Sequence, residues 1–108
     1  MIVHGLKTCD TVRTALRDLR AAGKTPEFRD FRGNPLTRDE VARFHAALGD
    51  RLLNRSSATW RGLSEAERAA DPVELMARHP ALIRRPVIED GARISCGWKA
   101  GEKALWLA

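Results

Sequence analysis

The first 32 residues switch from an apolar run to a helical repeat and back, and that order restricts the fold more than any other feature of the chain. Ile2 and Val3 read as a short buried strand that stops at Gly5. From Asp10 to Ala22, the apolar residues Val12, Ala15, Leu16 and Leu19 recur at helical spacing, and Gly23 closes the segment. The stretch PEFRDFR that follows predicts a second strand, with Phe28 apolar and Phe31 near its end. A strand, a crossover helix and a second strand pair in parallel with a right-handed connection, so the chain begins with a βαβ unit.

The middle of the chain is helical, roughly over residues 37–79. Thr37-Arg-Asp-Glu40 is a capping box, followed by Val41, Phe44 and Leu48 on one face and by Gly49 at the end. Ser64-Glu-Ala-Glu67 is a second box, and Asp71-Pro-Val-Glu74 combines an N-cap, a proline at the first helical position and an acid at the third. Beyond it, Pro86-Val87-Ile88 and Ala92-Arg93-Ile94 flank Glu-Asp-Gly, and Asp90-Gly91 is expected as the two-residue turn of a hairpin. A last helix is expected over Lys99 to Leu107, docked by Leu105 and Trp106.

The resulting order is βαβ, helices, a ββ hairpin and a helix. It predicts an α/β chain with a thioredoxin-like (glutaredoxin-like) mixed sheet and a helical insertion between the βαβ and ββα halves. A length of 108 residues suits one such domain, 1–108, with a core that needs no staples. No apolar run approaches the ~20 residues of a membrane helix, and the N-terminus has no signal-like apolar region, so a cytoplasmic protein with no membrane association is expected. Two cysteines, far apart, give neither a disulfide framework nor a paired metal-ligand spacing, so no metal site is expected. The net charge of +5 raises nucleic acid as a partner. The basic residues are scattered from Lys7 to Lys103 without a dense run, and there is no Tyr to stack on bases, so no nucleic-acid partner is expected. An anionic small-molecule substrate suits the same charge.

The predicted order places Cys9 in the loop after the first strand, at the N-terminus of the first helix. Unpaired backbone N–H groups and the positive end of the helix dipole meet there, and they favour a thiolate. Arg13 lies one turn on, and helical side chains lean back toward the N-terminus, so its guanidinium can return to the sulfur or to an anion beside it. Lys7 adds a charge nearby and Thr8 a hydroxyl. The same local features also suit a buried structural cysteine that happens to precede a helix.

The motif strand-Gly-x-Lys-x-Cys9-Asp10-Thr11-x-Arg13, the segment Leu52-Leu53-Asn54-Arg55, the Thr59-Trp60-Arg61 after it, and His79-Pro80 leading to Arg84-Arg85-Pro86 belong together. Over essentially its whole length the chain resembles the arsenate reductase-related (ArsC/Spx/YffB-like) family, and it fits best the YffB-like branch. The resemblance implies Cys9 as the nucleophile, Arg55 and Arg85 as oxyanion-holding arginines, and Thr11 as a supporting residue. It implies a cis Pro86 facing the cysteine, whereas Arg84 reads as a surface residue. Gly97 stands where the family's third arginine would be. The histidine that the family reductases carry four residues before the cysteine is replaced by Gly5, so His4 reads as a strand side chain. The second cysteine of the Spx pattern is Val12 here. Cys96 is expected as a small, half-buried residue on an edge strand, away from the first helix tip.

What the resemblance implies is a cysteine-dependent reductase with no bound cofactor, in which glutathione is the co-substrate and glutaredoxin a further partner; a monomer is expected, without a sequence feature that decides the oligomeric state. Arsenate reduction is an alternative substrate choice. A non-enzymatic, Spx-like adaptor of RNA polymerase is an alternative of another class.

Overall fold

β1 (Ile2–Gly5) occupies an inner position in a four-stranded sheet of order β2-β1-β3-β4, with β2 at Glu27–Asp30, β3 at Val87–Asp90 and β4 at Arg93–Cys96. The computed structural model describes residues 1–108, and the chain divides into two units, residues 1–35 with 85–108 and residues 36–84. The β1–β2 pair is parallel, with Val3 opposite Phe28. The β1–β3 and β3–β4 pairs are antiparallel, with Val3 opposite Ile88 and Ile88 opposite Ser95. The sheet is therefore mixed, with the crossover helix α1 (Asp10–Ala21) between its two parallel strands.

Alternation along the strands decides which face is covered. Val3 and Ile88 point to one face and join Val12, Ala15, Leu16 and Leu19 of α1 in a single buried cluster. Trp98 and Trp106, the latter on the C-terminal helix α6 (Ala100–Leu107), complete it. Each of these large side chains contributes roughly 1.5–3 kcal/mol through burial. Both indoles also find acceptors: Trp98 Nε1–H donates to Asp18 Oδ2 at 3.0 Å, and Trp106 Nε1–H to Ser95 Oγ at 2.8 Å.

Two local expectations need correction. Asp90 pairs with Arg93, so the hairpin loop is Gly91-Ala92 rather than Asp90-Gly91. Gly91 has φ +60° and Ala92 has no positive φ, which is the pattern of a turn that demands glycine at its first central position only. On α6, Trp106 docks but Leu105 is exposed, because consecutive helical residues point about 100° apart. Leu107, partly buried, is its partner on the core instead.

Residues 36–84 form the helical unit: α2 (Arg38–Leu48), α3 (Ala58–Gly62), α4 (Glu65–Arg68) and α5 (Pro72–Arg78). The sequence caps act as read. Thr37 and Glu40 close a reciprocal box, as do Ser64 and Glu67, and Asp71 accepts from the Glu74 amide. The Ser64 backbone N–H, more than any other group, holds the Glu67 carboxyl below its ordinary range. Val41 and Phe44 of α2 and Leu75 and Met76 of α5 are buried, and Arg38 pairs with Glu74 between the two helices. Residues 52–54 run beside 82–84, with Asn54 N–H donating to Leu82 O and Arg84 N–H to Leu52 O, both at 2.8 Å. Arg84 Nε–H adds a bond to Arg51 O, so this arginine staples its own unit together. No helix is long and apolar enough to cross a membrane.

Candidate active site

Cys9 is the N-cap of α1, with φ −84° and ψ 121°. Its amide donates to Leu6 O at 3.0 Å, which closes the turn from β1, and its carbonyl accepts from Arg13 N–H at 3.0 Å, the first bond of the helix. The side chain is half-buried and packs on the edge of the core cluster. At the N-caps of α2, α3, α4 and α5 a Thr, Ser or Asp oxygen accepts an amide hydrogen bond. The Cys9 side chain makes no such bond. The first-turn amides of α1 are thus not closed by their cap side chain, and Cys9 stands at the positive end of the helix.

Lys7 and Thr8 are exposed on the turn before Cys9, and Thr11 is exposed on the first helical turn. Arg13 is exposed and donates to the Asp10 Oδ1 carboxylate at 2.5 Å, so here it neutralises the acid beside Cys9. Arg85 is partly buried, and its peptide bond to the buried Pro86 is cis. Because β3 runs antiparallel to β1, with Val87 opposite His4, Arg85 and Pro86 enter the sheet at the end from which the Cys9 turn leaves. One end of the sheet therefore gathers Cys9, Lys7, Thr8, Thr11, Arg13, Arg85 and Pro86. Arg55 lies in the helical unit, where Nη2 is 3.8 Å from Asp50 Oδ2 and the guanidinium stacks 5.5 Å from the centroid of the Trp60 ring. Arg68 stacks on the same ring, also at 5.5 Å.

Cys96 differs from expectation in two ways. It is fully buried, and it ends β4 at the same end of the sheet as the Cys9 turn. What separates the thiols is the face. Cys96 pairs with Val87, which pairs with His4, and that row points away from the Val3–Ile88 face on which Cys9 packs. His4 belongs to this second face. Its Nε2 lies 2.7 Å from Glu89 Oε2 and its Nδ1 3.4 Å from Arg29 Nη1. An arginine only donates, so Nδ1 accepts and Nε2 carries the proton toward Glu89. Sequence reading placed His4 in a strand and missed both partners, which come from β2 and β3. It also missed a close approach of Gly5 to Val12.

A mixed β2-β1-β3-β4 sheet, a cysteine capping the crossover helix and a cis-proline leading into the third strand define a thioredoxin-like α/β protein. Residues 4–104 match the ArsC family, and the chain belongs to it. An uncharacterized protein of Haemophilus influenzae is 30% identical over 105 residues, 93% of this chain and 92% of that protein. The arsenate reductase of Escherichia coli strain K12 is 31% identical over 86 residues, which cover 74% of this chain but only 61% of the reductase. Among solved structures, the YffB protein superposes with a TM-score of 0.88 at 33% identity, over 99% of this chain and 98% of that one. An arsenate reductase (ArsC) related protein from Brucella melitensis gives a TM-score of 0.77 at 30% identity, over 97% and 92% of the two chains.

Proposed function

We propose that this chain is a cysteine-dependent reductase working through the Cys9 thiolate, with glutathione as co-substrate. The carrying observation is the placement of Cys9: it caps α1, is accessible in part, and has the other thiol of the chain buried on the opposite sheet face. In the first step Cys9 Sγ attacks one sulfur of an oxidised thiol substrate. The substrate S–S bond breaks, a Cys9 mixed disulfide forms, and the departing thiolate takes a proton from solvent. In the second step a glutathione thiolate attacks that mixed disulfide and releases Cys9. With Cys96 on the other face, the resolving thiol is external, and glutaredoxin is a further donor.

Arg13 and Arg85 are assigned to holding the anionic group of the substrate or of glutathione, with Lys7, Thr8 and Thr11 supporting and Pro86 flanking. The family resemblance assigns an oxyanion-holding role to Arg55 of the helical unit as well. The similarity to arsenate reductases supports arsenate as the alternative substrate: Cys9 and one glutathione then supply its two electrons and end as a Cys9–glutathione disulfide, the arsenic leaves as arsenite with one oxygen lost as water, and a second glutathione releases Cys9 as oxidised glutathione. A glutathione-linked cycle suits a monomer in the reducing cytoplasm. Turnover with glutathione, offered either a mixed disulfide or arsenate, tests the reading. Consumption of one of them by the wild type and not by Cys9→Ser is expected, with a single mixed-disulfide mass, that of the substrate's thiol or of glutathione, added at Cys9. Equal turnover by both proteins, or a Cys9–Cys96 disulfide in place of the adduct, would overturn it.

A further inference from the structure

We infer that Trp60 is a positioning residue for Arg55: its indole, anchored by Arg68, restrains the Arg55 guanidinium and leaves its N–H groups open to an oxyanion. Trp60 has no place in the buried core. It is half-buried where Trp98 and Trp106 are buried, and its helix α3 buries no residue. What lies over its ring is charge. The guanidinium carbons of Arg55 and Arg68 each stand 5.5 Å from the ring centroid. An aromatic face attracts a cation at that range.

The two arginines are held differently. Arg68 Nε–H donates to Trp60 O at 3.2 Å and its Nη2–H to Arg61 O at 3.1 Å, so it is tied to the backbone of the helix that carries the ring. Arg61 Nη1–H donates to Ser56 O at 2.7 Å, and Ser57 Oγ accepts from Trp60 N–H at 3.1 Å. The backbone next to Arg55 and the start of α3 are therefore pinned. Arg55 itself makes no hydrogen bond. Its half-exposed side chain has Nη2 3.8 Å from Asp50 Oδ2, too long for one, and the Trp60 ring is its other contact. A ring contact restrains a guanidinium without using its donors, and the open fork can then give an oxyanion two parallel hydrogen bonds.

The inference rests on Arg55 as an anion-holding residue of the proposed reductase. Its test follows the arginine side-chain Nε–H resonances of the isotope-labelled full chain during titration with inorganic phosphate at constant ionic strength. Arg55 is identified by the resonance lost in Arg55→Lys. In the wild type the Arg55 Nε–H should be more ordered, by NMR relaxation, than that of the exposed Arg78, and it should shift with phosphate. Trp60→Leu should bring its order to the Arg78 level and weaken phosphate at Arg55 about threefold, the scale of an exposed cation–π contact. Trp60→Phe, which keeps a ring, should hold Arg55 more ordered than Arg78 and lose less affinity. An Arg55 as mobile as Arg78 in the wild type, or unchanged order or affinity in Trp60→Leu, overturns the role of Trp60. If Trp60→Leu does not fold, Trp60→Met, unbranched and without a π face, carries the same expectations. If neither folds, loss of Arg55 order in Trp60→Phe is equally fatal. Phosphate protection of Cys9 from iodoacetamide is measured alongside. Protection of Cys9 without a shift at Arg55 overturns the inference and spares the reductase reading. A shift at Arg55 without protection of Cys9 instead sinks the assignment of Arg55 to the cysteine's anion site, while the hold of Trp60 on Arg55 stands. Neither shift nor protection removes both.

Discussion

Cys9 packs against the α1 face of the sheet, and Cys96 lies on the other face at the same end of it. Their difference in reach is larger than their difference in sequence context suggests: one thiol is half-buried at a helix cap, the other only 2% exposed in a paired strand.

Alkylation should therefore be selective. Iodoacetamide should label Cys9 in the native chain while Cys96 waits for local opening. An opening that costs even about 3 kcal/mol slows the buried thiol by roughly two orders of magnitude. Peptide mass spectrometry over a time course reads both sites. Equal rates in the folded protein would contradict the burial of Cys96.

Arg85 should matter through shape as well as charge. Its fork can give an oxyanion two parallel hydrogen bonds, which a lysine ammonium does not reproduce. Arg85→Lys should leave the fold intact and weaken sulfate binding by about 1.5–3 kcal/mol, the scale of a charge-assisted hydrogen bond. Protection of Cys9 from alkylation by added sulfate gives the measurement. Unchanged protection in the variant removes Arg85 from the anion site.

The His4–Glu89 contact should contribute to stability. Both side chains are largely buried, at 4% and 16% exposure, and the 2.7 Å bond joins β1 to β3. Glu89→Leu should destabilise the chain by about 1–3 kcal/mol, because the His4 Nε2–H loses its acceptor. Glu89→Gln retains a carbonyl acceptor and should lose less. Urea unfolding followed by tryptophan fluorescence compares the three proteins. Equal stability of wild type and Glu89→Leu would show that the bond contributes nothing net.

Much of this architecture was written locally. The helix over 10–21 follows from Val12, Ala15, Leu16 and Leu19 at helical spacing, and the capping bonds of Thr37, Ser64 and Asp71 follow from oxygen side chains set three residues before the amides that they bind. Cys9 at a helix N-terminus was legible for the same reason, since a cap is a relation between near neighbours. The turn at Gly91 was legible as a turn but not in register, because pairing across β3 and β4 decides which two residues are left over.

What only the tertiary structure decided concerns partners distant in the chain. His4 meets Arg29 and Glu89 because three strands lie side by side. Cys96 parts from Cys9 because strand alternation sends neighbouring residues to opposite faces, and a side chain's face has no meaning until its neighbours are set. Gly5 looked like a strand terminator, and its reason is the methyl pair of Val12 pressed against it from α1. Local sequence fixes backbone conformation through short-range sterics and hydrogen bonds. Packing at 3 Å between separate elements depends on where the whole chain brings them, and that is set by burial summed over the core.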